Sequence, residues 1–271
     1  MQDKKIRLGI IGFGRMGITH YSIINTHPNI EILGVTDPSK NITVLLEKYI
    51  NNLKVFDDYR QMIKFLDLDA VLICTPPKFH FEISKYAYEN NLHVFVEKPF
   101  TTNLNDAEKL KDLFNNKNLV NQVGYVNRFN DVFIKTKSYL ETGLIGDLIS
   151  FKSEMYSATV SRKESSKSWR TYKDNGSGVV YEIAAHAIDL VGYMFGKPDK
   201  VVGTYMNKVF SKNNEDIVSS TLLYKDGISG NLYVNWSDVS YRKPSNKIEL
   251  FGTKGKIIAD NHGIKIFMNV L

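Results

Sequence analysis

Two groups of residues in this chain have types and spacing suited to proton and hydride chemistry. The first is Glu97-Lys98-Pro99, which ends the apolar run Val94, Phe95, Val96. An acid and an amine placed where a buried strand emerges can face a ligand, and the amine can exchange a proton with a substrate hydroxyl. The same residues also read as a strand-ending ion pair and a chain-breaking proline, and exposed ion pairs are common. The second group is Glu182, His186, Asp189 and Tyr193, at offsets of 0, 4, 7 and 11 within an apolar stretch, 179–195. At 3.6 residues per turn they form one stripe of a helix. A carboxylate one turn before a histidine can orient the imidazole or reach the same ligand. The solvent face of an amphipathic helix has the same spacing. This stripe holds no Lys or Arg, which favours the lining of a cleft.

A third element binds rather than reacts. Gly12-Phe13-Gly14-Arg15-Met16-Gly17 follows the apolar run Ile6 to Ile11 and opens a helical stretch. Glycines at this spacing, between strand and helix, allow a tight turn, close approach of a pyrophosphate and close helix packing. Asp37 follows the next apolar run, 20 residues beyond Gly17, where an acid accepts from both ribose hydroxyls of NAD. A carboxylate there repels a 2′-phosphate, so NAD is the expected cofactor, with NADP as the alternative because Ser39 and Lys40 follow closely.

These residues need a scaffold, and the first half of the chain supplies one. Apolar runs at 6–11, 30–37, 70–77, 93–99 and 119–125 alternate with helical spacing, which predicts a parallel doubly wound sheet over residues 1–123. Ligands bind beyond the carboxyl ends of such strands. Asp37, Cys74-Thr75-Pro76 and Glu97-Lys98-Pro99 all fall there. From residue 124 the rhythm changes. After a connection and a helix, runs alternating apolar and polar residues predict a mostly antiparallel sheet with one covered face, and "YKDG" and "GTKG" read as hairpin turns. Residues 124–271 are therefore expected to form an α+β domain.

Composition narrows the classes. The chain of 271 residues is 43% hydrophobic and 24% charged, with no apolar run long enough to span a membrane. One cysteine, Cys74, excludes an internal disulfide and suits a reducing, cytoplasmic setting. No histidine or cysteine spacing suggests a metal site. The net charge of +6 comes from scattered lysines, which argues against a nucleic-acid partner and is compatible with an anionic small molecule.

Taken together, these motifs resemble the Gfo/Idh/MocA oxidoreductases. The resemblance runs through the glycine loop, Cys74-Thr75-Pro76 with His80, Glu97-Lys98-Pro99, Gly124-Tyr125, Arg128-Phe129, Trp169-Arg170, Gly176-Ser177-Gly178, and the helix with His186 and Asp189. It implies an N-terminal Rossmann domain, a C-terminal substrate-binding and oligomerisation domain with an open sheet, and NAD(P)-dependent hydride transfer to or from a sugar, cyclitol or nucleotide sugar. It implies that Lys98 contacts the reacting hydroxyl, that His186 serves as acid/base and that Glu182 holds substrate and tunes it. It extends the cofactor site to Cys74, Thr75, Pro76, His80, Glu97, Lys98 at the nicotinamide region, Trp169 and Arg170, and the substrate site to Arg128 and Asp189. Pairing into homodimers or homotetramers through the sheet is a further expectation. Glu182 and Ala184 stand where the family usually has Asp and Gly, and the chain stops several dozen residues early. The Glu182 and Ala184 departures keep open a non-catalytic NAD- and sugar-binding regulator; a second alternative, as in some relatives, is an enzyme that recycles its NAD internally.

Overall fold

The structure is a computed structural model and describes residues 5–50, 53–158, 160, 177–211 and 213–269. Trp169, Arg170 and Gly176 lie outside the described residues. The chain forms two compact units, Met1–Gly124 and Tyr125–Leu271.

In the first unit, β1 (Ile6–Ile11), α1 (Arg15–Ile24), β2 (Ile30–Thr36), α2 (Lys40–Tyr49), β3 (Lys54–Phe56), α3 (Tyr59–Phe65), β4 (Ala70–Ile73), α4 (His80–Glu89), β5 (His93–Val96), α5 (Leu104–Asn115) and β6 (Asn121–Val123) follow one another. The six strands lie in the order β3-β2-β1-β4-β5-β6, all parallel. This is the doubly wound order with its topological switch point between β1 and β4. Side chains of a strand alternate between faces. Ile11, Val71, Ile73, Val94 and Val96 accordingly enter one core, while Leu8, Ile10, Val35 and Leu72 enter the other. Burial of both faces explains why these strands read as continuous apolar runs. β3 carried no such run, because three residues at the sheet edge need no apolar alternation.

The second unit contains α6 (Asp131–Glu141), β7 (Leu148–Tyr156), α7 (Ala185–Phe195), β8 (Lys200–Asn207), β9 (Ile217–Leu223), β10 (Ser229–Asn235), β11 (Ser245–Gly252), β12 (Gly255–Asp260) and β13 (Gly263–Met268). Its seven strands lie in the order β13-β12-β11-β7-β10-β9-β8, and only β7 and β10 pair in parallel. The two hairpin turns stand where the sequence places them, with Gly227 at a φ of 87° in the first. One face is covered: Phe151, Met155, Val218, Leu232, Val234, Ile248 and Leu250 pack with Phe133 of α6 and Leu190, Val191 and Met194 of α7. The helix expected over 179–195 is not uniform. Val180–Ala184 is a π-helical turn, and the α-helix begins at Ala185. A π turn advances each residue by a smaller angle, so Glu182 departs from the simple row with His186 and Asp189.

The other face of this sheet carries a charge network. Glu249 bonds Lys247 and lies 2.5 Å from Lys256 Nζ, and Glu154 lies 3.7 Å from Lys247. Hydrogen bonds from the two lysines outweigh burial and pull the Glu249 carboxyl down to about 2. A depressed carboxyl stabilises the fold above its ordinary value and ceases to do so as pH falls toward 2. Glu249→Gln is therefore expected to lower stability at pH 7 by about 1–2 kcal/mol after solvent screening. The gap between variant and parent should close in urea unfolding at pH 2.5. An equal gap at both pH values would refute the assignment.

Candidate active site

The glycine loop leaves β1 under tight steric control. Gly12 has a φ of 89°, and a Cβ there would stand 2.9 Å from the Cys74 carbonyl and the Thr75 nitrogen. A Cβ on Gly17 would collide with the Gly12 carbonyl oxygen. Nothing stands within 4 Å of the Cβ position of Gly14, so a ligand can approach the backbone there. α1 begins without a side-chain cap and without an acid in its first turn, leaving its N–H groups and positive dipole end available to a phosphate. Asp37 is buried beyond β2. Its two carboxylate oxygens accept from the Phe13 N–H at 2.8 Å and the Ser39 N–H at 2.9 Å. Those bonds aim the carboxylate while lone pairs remain for two ribose hydroxyls. Thr75 adds a buried hydroxyl that no described residue satisfies. Open backbone, an uncapped helix start, a held acid and an unsatisfied hydroxyl on one rim fit a dinucleotide.

Cys74 and the Glu97-Lys98-Pro99 turn occupy the same carboxyl ends of the sheet. The Cys74 N–H donates to Ile11 O at 2.7 Å and the Glu97 N–H to Ile73 O at 2.9 Å, so the sheet ladder itself sets both positions. Burial, with the Glu97 charge, pushes the Cys74 thiol far above its usual range, which disfavours the thiolate here. Glu97 is buried too. Burial pushes its carboxyl up, but the hydrogen bond and charge of His20, with the charge and N–H of Lys98, outweigh this and hold it below its usual value. The Lys98–Pro99 peptide is cis. Among the described residues, Asp37, the Cys74 turn and the Glu97-Lys98-Pro99 turn thus follow the carboxyl ends of strands of one parallel sheet.

His80 is placed differently from the cofactor contact expected of it. Its ring is fully enclosed, with Nδ1 2.8 Å from the Pro99 carbonyl and Nε2 2.8 Å from the Thr75 carbonyl. Burial lowers its basicity more than these contacts raise it, so the ring is neutral and donates from one nitrogen. It braces the two rim turns against each other and presents no nitrogen to a ligand.

In the second unit, Arg128 and Asp189 meet. Arg128 Nε lies 3.0 and 2.9 Å from the two Asp189 oxygens, and its terminal nitrogen 2.7 Å from Oδ1. This bidentate pair raises the Arg128 guanidinium, chiefly through the hydrogen bond. The guanidinium also faces the Tyr193 ring, 5.5 Å from its centre. Two members of the expected polar row, Asp189 and Tyr193, are therefore engaged by the same guanidinium. Tyr125 sets its ring edge-on to His186, 6.2 Å between centres, and burial keeps its hydroxyl protonated above the usual range. Gly178, at a φ of 106°, precedes the π turn that carries Glu182; a Cβ there would collide with the Glu215 carboxylate. The Glu215 carbonyl accepts from the Val179 N–H at 3.2 Å. Glu215 thus caps the turn, a role no sequence signal announced. His20, the partner of Glu97, was missed likewise; only its place one turn into α1 pointed toward the rim.

The NAD-binding Rossmann-fold model of an oxidoreductase family matches residues 6–125, and the model of the GFO/IDH/MocA C-terminal domain matches 133–258. The chain belongs to the Gfo/Idh/MocA oxidoreductases. Among its relatives, an uncharacterized oxidoreductase of Schizosaccharomyces pombe is 29% identical over 199 residues, 72% of this chain and 53% of that protein. A myo-inositol 2-dehydrogenase of Thermotoga maritima is 24% identical over 261 residues, 94% of this chain and 75% of that protein. The chain thus spans between about half and three quarters of the length of these curated Gfo/Idh/MocA relatives. The WlbA dehydrogenase of Bordetella pertussis, solved with NADH and UDP-GlcNAcA, shares the fold at a TM-score of 0.91 and 20% identity, covering 100% of this chain and 79% of that one.

Asp37 makes a prediction of its own for cofactor choice. Asp37→Asn removes the charge while keeping an acceptor. NADH is expected to bind about tenfold more weakly, the scale of one hydrogen bond to a charged group, with NADPH binding unweakened. Fluorescence titration of both nucleotides measures this. A parent protein that binds NADPH as tightly as NADH would remove the role assigned to Asp37.

Proposed function

We propose that this protein transfers hydride between NAD and a hydroxyl-bearing carbon of a sugar, cyclitol or nucleotide sugar. The observation that carries the reading is the shared rim of the first unit, where the held Asp37 carboxylate, the open glycine loop and the Lys98 turn stand at the carboxyl ends of β2, β1 and β5 of one parallel sheet. NAD supplies the hydride acceptor or donor when bound. Lys98 exchanges a proton with the reacting hydroxyl, and His186 serves as a second acid/base with Glu182 beside it in sequence. Gly12, Phe13, Gly14, Arg15, Met16 and Gly17 hold the pyrophosphate, and Asp37 holds the ribose. The Arg128–Asp189 pair ties α7, one turn after His186, to the segment that carries Arg128. Polyhydroxylated substrates are supported by the names of the relatives, which act on myo-inositol or were solved with a nucleotide sugar. The test mixes the purified protein with NAD and a panel of inositols, sugars, sugar acids and nucleotide sugars, and follows reduced-nicotinamide absorbance. Sustained absorbance with one member supports the reading. Tight NADH binding with no reduction across the panel turns it toward a binding protein, and product without net reduction toward a recycled cofactor.

A further inference from the structure

His20 lies in the second turn of α1, the helix that follows the glycine loop, and 77 residues from its partner. Its Nε2 stands 2.7 Å from Glu97 Oε1, with both side chains largely withdrawn from water at 17% and 10% exposure. The other oxygen, Oε2, accepts the Lys98 N–H at 3.2 Å. One carboxylate therefore joins the helix of the glycine loop to the backbone of the lysine. The carboxylate has little room to turn away. Gly124 packs against it so closely that a Cβ would stand 3.3 Å from Cδ and Oε1, and the His20 ring is itself held edge-on to Phe95 at 5.4 Å. A buried carboxylate without its donor is costly, so removing His20 forces Glu97 to find another partner, and Lys98 is its neighbour in sequence.

We propose that His20 is a positioning residue for Lys98: by donating to Glu97 it locks the lysine turn to the helix that carries the glycine loop. The functional consequence rests on the reading of Lys98 as the proton carrier; the positional claim does not. The test follows the acetylation rate of Lys98 by acetic anhydride at fixed pH, read by mass spectrometry on the folded full chain, with Lys85 and Lys109 as internal references. His20→Ala is expected to change the Lys98 rate by about threefold or more, the low end of coupling between contacting groups, with the references unmoved. His20→Gln, whose amide reaches as far as Nε2, is expected to restore the rate. His20→Asn, too short to reach, should behave like the Ala variant and replaces it if that variant does not fold. In a His20→Ala background, Glu97→Gln should add little. An unchanged Lys98 rate in both shortened variants, a Gln variant no better than Ala, or fully additive effects with Glu97→Gln would each overturn the proposal. A Lys98→Met protein with full turnover would instead remove the proton-carrying role and leave the labelling result standing.

Discussion

Replacing Lys98 by Met is expected to lower kcat by about 10²–10⁴-fold, the range that a positioned acid or base contributes, while NADH affinity stays within about threefold. The separation follows from where binding and chemistry reside. The proposed pyrophosphate and ribose contacts, in the glycine loop, the start of α1 and the Asp37 carboxylate, do not involve the Lys98 side chain. Methionine keeps the length and apolar stem but carries no proton. Lys98→Arg sharpens the test, because a guanidinium keeps the charge yet does not give up its proton near neutral pH. If the amine served only as a fixed positive charge, the Arg variant would retain most of the turnover. If it carries a proton, both variants fall together. Turnover measured with the substrate that passes the panel, beside NADH titration, decides among these outcomes, and full activity in the Met variant ends the assignment.

The parts of this machinery legible in sequence are those governed by local rules. A glycine loop between strand and helix, an acid at the next strand end and turn residues at each strand exit depend on nearest neighbours. The structure places them on one rim because parallel strands share a direction. What remained hidden depends on distance along the chain or on side-chain direction. His20 and Glu97 are 77 residues apart, and Arg128 and Asp189 are 61 apart, so no spacing rule joins them. His80 shows the second kind of failure. The family resemblance implied a cofactor contact for it, but helix α4 turns its ring inward between two carbonyls. The π turn at Val180–Ala184 is a third case. The apolar pattern through 179–195 fits an unbroken α-helix, and only the Gly178 conformation and the Glu215 carboxylate beside it show where the extra residue is accommodated.

The same part of the second unit yields the largest expected loss of stability. Asp216 is fully buried, and one of its oxygens accepts the N–H groups of Val209, Phe210 and Ser211 at 2.7, 2.6 and 2.9 Å. The other accepts from the Trp236 indole at 2.9 Å. Burial pushes this carboxyl up, but the bonds from Ser211, Trp236 and Phe210 outweigh it and hold it below the usual range. The acid therefore ties together the turn after β8, the start of β9 and the residue after β10. Asp216→Asn keeps the shape, yet whichever way the amide turns, its NH2 group faces a donor. The cost is expected to be about 3 kcal/mol or more, the scale for breaking a buried charged network. Asp216→Ala, which leaves four donors unpaired, should cost at least as much. The pH dependence has a definite sign. A depressed carboxyl contributes above its unfolded value near 4 and loses that contribution as pH falls through the folded value, so the gap between parent and Asn variant narrows in acid. Glu215, next to it, caps the turn that carries Glu182, so, on the proposed roles of Glu182 and His186, the Asn variant is also expected to lose turnover while NADH binding persists. Denaturant unfolding at pH 7 and pH 3, with NADH titration of the folded variant, tests all three. A variant as stable as its parent at pH 7 would show that the four donors find other acceptors without Asp216.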